Sequence, residues 1–223
     1  MIISKMKPVD EILSYVAGED KIFLIGCGIC ATYCASGGKR ELKFIKGVLE
    51  EAGKEVTGML VIEGVCVVKR TKQHIEYFPQ IYESDSVIVF ACGTGISVVA
   101  DLVPVKVHPG TDTLFSGAIV EPGVFEEKCS MCGKCELEWS QGVCPHTMCP
   151  KGIFNGPCGG VHDGKCEVNT NRECAWVTMY KRAVKTGNLD ELERPREFKD
   201  WRDTIKPRKV VVRSGRVVSD RIH

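Results

Sequence analysis

Thirteen cysteines, gathered into two groups, constrain this chain more than any other feature. One group lies in the N-terminal half and the other is dense in the C-terminal third. An odd number of cysteines cannot pair completely as internal disulfides. The N-terminus carries acidic residues where a secretory leader would have an apolar core, so we expect a cytoplasmic protein, in which disulfides are rare. The thiols are therefore predicted to be mainly metal ligands, with a few structural cysteines among them.

The bulk composition is that of an ordinary globular protein. Of the 223 residues, 43% are hydrophobic and 26% are charged, which is enough to bury a core without help. The formal net charge is +1, and a nearly neutral chain gives no reason to expect nucleic acid as a partner. No apolar run approaches the roughly 18 residues of a membrane span. We therefore expect neither nucleic-acid binding nor a membrane span.

Residues 20 to about 120 alternate short apolar runs with helical stretches. The runs at 21–26, 56–62 and 86–91 predict buried strands, with a fourth strand at 103–107, while residues 40–52 have helical spacing. Strands that alternate with helices predict a parallel sheet, and continuously apolar strands indicate that both faces are covered. We predict an α/β fold with a small Rossmann- or flavodoxin-like parallel sheet.

The chain divides into three regions by its texture. Residues 1–122 are predicted to form the α/β domain, which carries the first cysteine group. Residues 123–190 are predicted to form an irregular cysteine-rich metal-binding region followed by a helix that starts near residue 174. Residues 191–223 form a basic C-terminal tail, for which a hairpin around Ser214-Gly215 is predicted.

The first cysteine group follows the ends of the predicted strands. Cys27, Cys30 and Cys34 come directly after the first strand, and Cys66 and Cys92 lie just beyond the second and third. Ligands of an open parallel sheet bind in the crevice at the carboxyl ends of its strands. A four-iron cluster needs four thiolates, so the first three cysteines would supply three ligands, and Cys92 or Cys66 the fourth. Alternatively, Cys66 is an apolar filler and Cys92 packs at the end of its strand.

A glycine-rich turn, Gly93-Thr94-Gly95, separates the third strand from the next helix. Such a turn can hold a phosphate at a helix N-terminus. The full GxGxxG pattern is absent because Val98 stands where the third glycine belongs. A tight turn beside a cluster is the preferred interpretation.

The second cysteine group begins with Cys129-x2-Cys132-x2-Cys135, which is close to the run found in bacterial ferredoxins. That run continues with a fourth cysteine and a proline. Here Cys144 and Cys149 are each followed by proline, but at longer spacing. The group is completed by Cys158, Cys166 and Cys174.

Eight thiolates in this region have two interpretations. They would hold either one four-iron cluster together with a zinc ion, or two clusters, since thiolates suit both metals. His146 and His162 are alternative zinc ligands. A region so rich in cysteine and glycine buries little apolar surface, so we expect metal binding to supply part of its stability.

The cysteine motifs resemble those of the methylenetetrahydrofolate reductase C-terminal family. The resemblance is carried by GVCP at 142–145, CPK at 149–151, NGPCGG at 155–160, GKCEV at 164–168 and CAW at 174–176. In the N-terminal half, GCGxCATxC at 26–34 and ACGxG at 91–95 also match. The resemblance covers residues 20 to about 190, and the C-terminal motifs are its more specific part.

The resemblance implies a role in one-carbon metabolism through the acetyl-CoA pathway. The family includes the small zinc- or iron–sulfur-containing subunit that accompanies a flavin-bearing reductase subunit in acetogens. The partner subunit would hold FMN in a TIM barrel and reduce methylenetetrahydrofolate. This chain would relay electrons to that flavin from a donor such as ferredoxin or a further complex.

We accordingly expect a redox subunit of an oxidoreductase complex that has no catalytic residues of its own. Two [4Fe-4S] clusters are expected, with zinc as the alternative metal at one C-terminal site. The competing hypothesis is a structural zinc-binding accessory subunit that stabilises the reductase without a redox role.

Overall fold

The structure, a computed structural model, describes residues 1–213 and 216–218. Its contacts divide the chain into two compact units, Met1–Glu126 and Glu127–His223. The strands are β1 (Ile2–Met6), β2 (Lys21–Cys27), β3 (Glu55–Ile62), β4 (Ser86–Phe90), β5 (Lys106–Pro109), β6 (Thr111–Glu121), β7 (Val124–Cys129), β8 (Val211–Arg213) and β9 (Arg216–Val218). The α-helices are α1 (Val9–Tyr15), α2 (Cys30–Tyr33), α3 (Lys39–Glu51), α4 (Val68–Glu76), α5 (Gly93–Leu102), α6 (Pro145–Met148), α7 (Ala175–Thr186) and α8 (Leu189–Glu193). Short 3-10 helices lie at Pro79–Ile81 and Arg202–Thr204.

A four-stranded parallel sheet in the order β3-β2-β4-β5 forms the centre of the first unit. This confirms the predicted α/β class and the parallel sheet. Strand β3 lies on one side of β2, whereas β4 and β5 lie on the other side. The direction in which successive strands are added therefore reverses between β2 and β4. In doubly wound sheets, the crevice at such a reversal is the usual ligand site.

Helices cover both faces of this sheet, because the central strands are apolar on both sides. On one face, α3 packs Leu42, Ile45 and Leu49 against a buried cluster that includes Leu24 and Ile88. The other face carries α4 and α5 over a second cluster, whose members include Phe23, Ile25, Ile75, Val89 and Val99. The strands that the cysteine-bearing loops follow are therefore packed on both faces.

A second sheet of the first unit, in the order β1-β6-β7, is not predicted by the sequence. Strand β1 pairs antiparallel with β6. Its sequence, IISKM, mixes serine and lysine with apolar residues, so it has no clear strand pattern. The predicted fourth strand at 103–107 is observed as β5, a few residues later in the chain.

The second unit has little regular structure apart from α7, the predicted C-terminal helix. Its core is small and is built around Trp139, Trp176 and Met179. Helix α7 ends at Gly187, which has a φ of 72° that glycine adopts without strain. Strands β8 and β9 pair antiparallel, and the turn predicted at Ser214-Gly215 lies outside the described residues.

No helix among the described residues is both long and apolar enough to cross a membrane.

Candidate functional site

Four cysteines lie at the end of β2 or in the loops that follow β2, β3 and β4, at the carboxyl edge of the parallel sheet. Cys66, in the loop after β3, interacts electrostatically with the thiols of Cys92, Cys27 and Cys30. Cys66 is exposed as a whole, but partial burial of its thiol raises the pKa of that thiol, and the neighbouring thiols, with Cys92 first, raise it further. We call Cys27, Cys30, Cys66 and Cys92 the strand-edge cysteines. They lie at the crevice where the strand order reverses, which is the edge that the sequence predicts.

Backbone and side-chain hydrogen bonds fix the loop that carries Cys27 and Cys30. Cys27 ends β2, and the N–H of Gly28 donates to the carbonyl of Ile62 at 2.9 Å, which ties this loop to the end of β3. The hydroxyl of Thr32 donates to the carbonyl of Cys27 at 2.8 Å. Cys30 is the first residue of α2. Both cysteines are thus held by contacts that do not require a metal.

The loop that carries Cys66 is held in the same way. Gly64 turns with a φ of 73°, and the N–H of Val67 donates to the Gly64 carbonyl at 2.8 Å. Below the cysteine, Val65 is fully buried, and its carbonyl accepts a hydrogen bond from Thr71 Oγ1 at 2.8 Å. Cys66 itself is exposed. The loop therefore presents one thiol at the surface while its neighbour anchors it in the core.

Glycines allow these loops to approach one another closely. A Cβ at Gly95 would lie 2.9 Å from Ala91 Cβ and 3.3 Å from Val65 Cβ, so glycine lets the Cys66 loop pack on the start of α5. Cys92 is the N-cap of this helix, and the N–H of Gly93 donates to Thr113 Oγ1 at 2.7 Å. The glycine-rich turn thus has a packing role beside the thiols.

Cys34 has a different environment from the strand-edge cysteines. It is the C-cap of α2, and its Sγ lies 3.9 Å from the carbonyl oxygen of Ile2 in β1, as a weak donor. The Ser36 hydroxyl next to it lies 2.9 Å from that of Ser4. This end of α2 is therefore attached to the antiparallel sheet.

In the second unit, the Cys129–Cys135 turn presents its thiols near the surface. Cys129 and Cys135 are exposed and Cys132 is half-buried. The N–H of Met131 donates to Cys129 Sγ at 3.3 Å, and Cys132 Sγ lies 3.4 Å from the Lys134 carbonyl. N–H to sulfur bonds of this kind tune the potential of clusters where clusters are bound.

Lys199 lies beside this turn, although the sequence places it in the basic tail. Its side chain is 2% exposed, and its Nζ donates to the Lys134 carbonyl at 2.6 Å and to Glu136 Oε1 at 3.1 Å. Burial alone would lower the pKa of Lys199, but the hydrogen bond to Glu136 and the nearby Cys132 thiol outweigh it and raise the pKa. No local pattern predicts this contact, because 63 residues separate Lys199 from Glu136.

Four other thiols line one small cavity of about 20 Å³ in the second unit. These thiols, the cavity cysteines, are Cys149, Cys158, Cys166 and Cys174. Backbone hydrogen bonds hold the loops that carry them: the N–H of Cys166 donates to Arg172 and that of Cys174 to Gly164, at 3.1 and 2.9 Å. Such a volume is near the minimum for one water-sized particle and far below that of a four-iron cluster.

The remaining candidates of the second group lie around α6. Cys144 is the N-cap of this helix and is half-buried. The ring of His146 stacks on Phe154 with centroids 5.2 Å apart, and burial lowers the pKa of His146. The side chain of His162 is 92% exposed and pairs with Asp163. Neither histidine lines the cavity formed by the four cysteines.

Within the described residues, no three His, Cys, Asp or Glu side chains converge closely enough to hold a single metal ion. The structure thus places the predicted cysteines in neighbouring loops, without the geometry of a closed mononuclear site.

No curated protein and no solved structure matches the chain. A family profile does match; it runs from the end of β5 through β6 and β7 and covers the second unit as far as residue 202. The matched stretch contains the whole second cysteine group, the small tryptophan core and Lys199. Residues 108–202 of this chain thus match the family described as methylene-tetrahydrofolate reductase C terminal.

Proposed function

We propose that this chain is an iron–sulfur electron-transfer subunit of a methylenetetrahydrofolate reductase complex. It would pass electrons to the FMN of a partner subunit that performs the reduction of methylenetetrahydrofolate. The family match supports the link to this reductase. The observation that carries the redox role is that Cys27, Cys30, Cys66 and Cys92 follow three neighbouring parallel strands at one edge of the sheet.

The strand-edge cysteines match a four-iron cluster in number, and they lie at one edge of the sheet. Such a cluster takes four thiolates, one on each iron, so its ligand sulfurs need not meet at one point as they do around a single ion. Three loops supply these thiols, and each loop is fixed by the hydrogen bonds described above. A bound cluster would supply one-electron exchange, while the chain's residues would set its solvent access and charge environment. We assign this first cluster to Cys27, Cys30, Cys66 and Cys92, with Cys34 as a structural cysteine.

The second unit fits two metals of different kinds. The Cys129–Cys135 turn, with Cys144 as the fourth thiolate, would hold the second cluster. The cavity cysteines would hold zinc, since four thiolates around a small space suit a single tetrahedral ion. Their loops would have to close slightly on the ion, as expected where metal binding and local folding are coupled.

The second candidate function is a structural zinc-binding accessory subunit without a redox role. The observation that favours it is the small cavity lined by four thiols, because a zinc site there would stabilise a unit with little apolar core. In that case the strand-edge thiols would remain free or would also hold zinc.

Metal analysis of the chain, purified without oxygen, distinguishes the two functions. We expect about eight irons and eight inorganic sulfides per chain, from two four-iron clusters, together with about one zinc. Zinc as the sole metal, with no inorganic sulfide, would establish the accessory role and refute the electron relay.

A further inference from the structure

An exposed apolar rim surrounds the strand-edge cysteines. Four apolar side chains beside these thiols face solvent: Ile29 is 43% exposed, Tyr33 65%, Val67 46% and Val68 54%. Ile29 lies between Cys27 and Cys30 in sequence, Tyr33 follows Cys30 on α2, and Val67 and Val68 follow Cys66. A Cβ built on Gly64 would lie 3.5 Å from the side chain of Ile29 and 3.5 Å from that of Val67. These two side chains are therefore neighbours, and the rim is continuous across two loops. Apolar groups gathered around a site in this way are characteristic of protein interfaces.

Positive charge borders this rim on α4. Lys69, Arg70 and Lys72 are exposed in the first turns of the helix, and its first turn has no acidic residue. Cations near a helix N-terminus oppose the helix dipole, so helix stability does not account for them. Neither Lys69 nor Lys72 forms an ion pair within residues 1–213, whereas the Arg70 guanidinium donates to the Glu63 carbonyl at 2.5 Å. The two lysines are therefore available to a partner, and Arg70 helps to hold the Cys66 loop.

We propose that this rim, with Lys69 and Lys72 beside it, is the docking surface for an acidic redox protein that exchanges electrons at the strand-edge site. An apolar centre with a basic border complements a partner that has an apolar centre and an acidic border. The charges steer the encounter, and the apolar contact brings the partner next to the four thiols. This inference rests on the proposed function for the role of the site, but the surface itself is defined by the described side chains.

The test is a binding measurement on the full chain with an acidic ferredoxin as the probe. The dissociation constant is measured by anaerobic calorimetry at about 50 mM and about 300 mM salt, between which charge screening increases strongly. The double variant Lys69→Glu/Lys72→Glu should weaken binding at least about tenfold at low salt and show a smaller salt dependence. Arg70 stays unchanged, so that the Cys66 loop keeps its hydrogen bond.

The matched control is Arg40→Glu/Lys43→Glu, which makes the same change of charge at the same spacing on α3, on the opposite face of the sheet, at two exposed side chains. It should leave the dissociation constant within about twofold of that of the unmodified chain. The proposal is overturned if the unmodified chain does not bind ferredoxin at low salt, or if both double variants weaken binding equally. It is also overturned if the α4 variant changes only self-association of the chain, as seen by sedimentation.

Reduction by a small molecule separates this proposal from the electron-relay function. Reduced methyl viologen does not need a docking surface, so at about 300 mM salt, where its own positive charge is screened, it should reduce the α4 variant as fast as the unmodified chain. Normal ferredoxin docking without iron in the chain would refute the relay and leave the surface in place. A reducible chain whose ferredoxin binding ignores the α4 charges would refute the surface and leave the relay in place.

Discussion

Cys66 and Cys34 are both candidate ligands of the first cluster, but they have different neighbours. The thiols of Cys92, Cys27 and Cys30 act electrostatically on that of Cys66, whereas Cys34 Sγ faces the carbonyl of Ile2. We expect Cys66→Ala to remove about four irons per chain, because it deletes one of four ligands. Cys34→Ala should keep the iron and cause only a modest loss of stability. Iron analysis of the two variants checks this, and loss of iron from the Cys34 variant alone would reverse the assignment.

Glu19 forms hydrogen bonds at the amino edge of the parallel sheet, opposite to the edge that carries the cysteines. It accepts a hydrogen bond from Ser86 Oγ at 2.5 Å, and His108 Nε2 lies 3.1 Å from its Oε2. Burial alone would raise the pKa of Glu19, but these hydrogen bonds outweigh it and hold the pKa below the ordinary value of 4.5. A carboxyl whose pKa is lower in the folded chain stabilises the fold above its unfolded pKa. That stabilisation is lost as the pH falls through the folded pKa.

Glu19→Gln should therefore lower the free energy of unfolding by about 1–3 kcal/mol near neutral pH. The variant should lose less further stability in mild acid than the unmodified chain, because it no longer has this carboxylate to protonate. Urea unfolding of both metal-free chains, followed by far-ultraviolet circular dichroism at neutral pH and in mild acid, measures this difference in the loss of stability. Equal acid sensitivity of the two chains would show that Glu19 does not carry this pH dependence.

At the scale of elements, Gly37 sets how closely the turn between α2 and α3 approaches β4. A Cβ at Gly37 would overlap the carbonyl oxygen of Phe90 and lie 2.9 Å from Ala31 Cβ. We expect Gly37→Ala to lower the free energy of unfolding by about 1–3 kcal/mol through overpacking. Displacement of α2 should also reduce iron at the strand-edge site, since Cys30 begins this helix.

Gly47 is the control within the same region. It lies inside α3, and a Cβ there would have no neighbour within 4 Å. Gly47→Ala should raise the free energy of unfolding by about 0.5–1 kcal/mol, because alanine favours helix. Denaturant unfolding of both variants gives the comparison, and a Gly37→Ala chain as stable as the Gly47→Ala chain would contradict the packing argument.

The elements that the sequence predicts are those with strong local patterns. Continuous apolar runs give β2, β3 and β4, helical spacing gives α3, and the glycine after α7 marks its end. Strand β1 is missed because its residues mix polar and apolar types, and its pairing with β6 is a contact across more than 100 residues of chain. Such pairings depend on tertiary packing rather than on local preference.

The positions of the cysteines in the fold are likewise predictable only in part. Parallel strands bring their carboxyl ends to one edge, so the sequence predicts the thiols that gather there. The weak bond from Cys34 to β1 depends on the antiparallel sheet, which the sequence does not predict. Lys199 is missed because its partners lie more than 60 residues away in sequence.

At the scale of the whole molecule, the two units are expected to depend on metal to different extents. The first unit has two apolar clusters around its sheet, whereas the second has one small cluster around Trp139 and Trp176. Metal removal by a strong chelator should therefore loosen the second unit first. All three tryptophans lie in the second unit, so their fluorescence should shift to longer wavelength while the circular dichroism of the first unit remains. Unchanged fluorescence after complete metal removal would show that the second unit folds without metal.

The electron relay itself is tested most directly by a reductive titration of the chain, purified and kept without oxygen. Dithionite is added stepwise while visible absorbance and the low-temperature electron paramagnetic resonance spectrum are recorded. We expect a broad visible absorption that bleaches with about two electrons per chain, one for each four-iron cluster, and the appearance of a signal from reduced clusters. A chain that is colourless, takes up no electrons and gives no signal would contradict the electron relay.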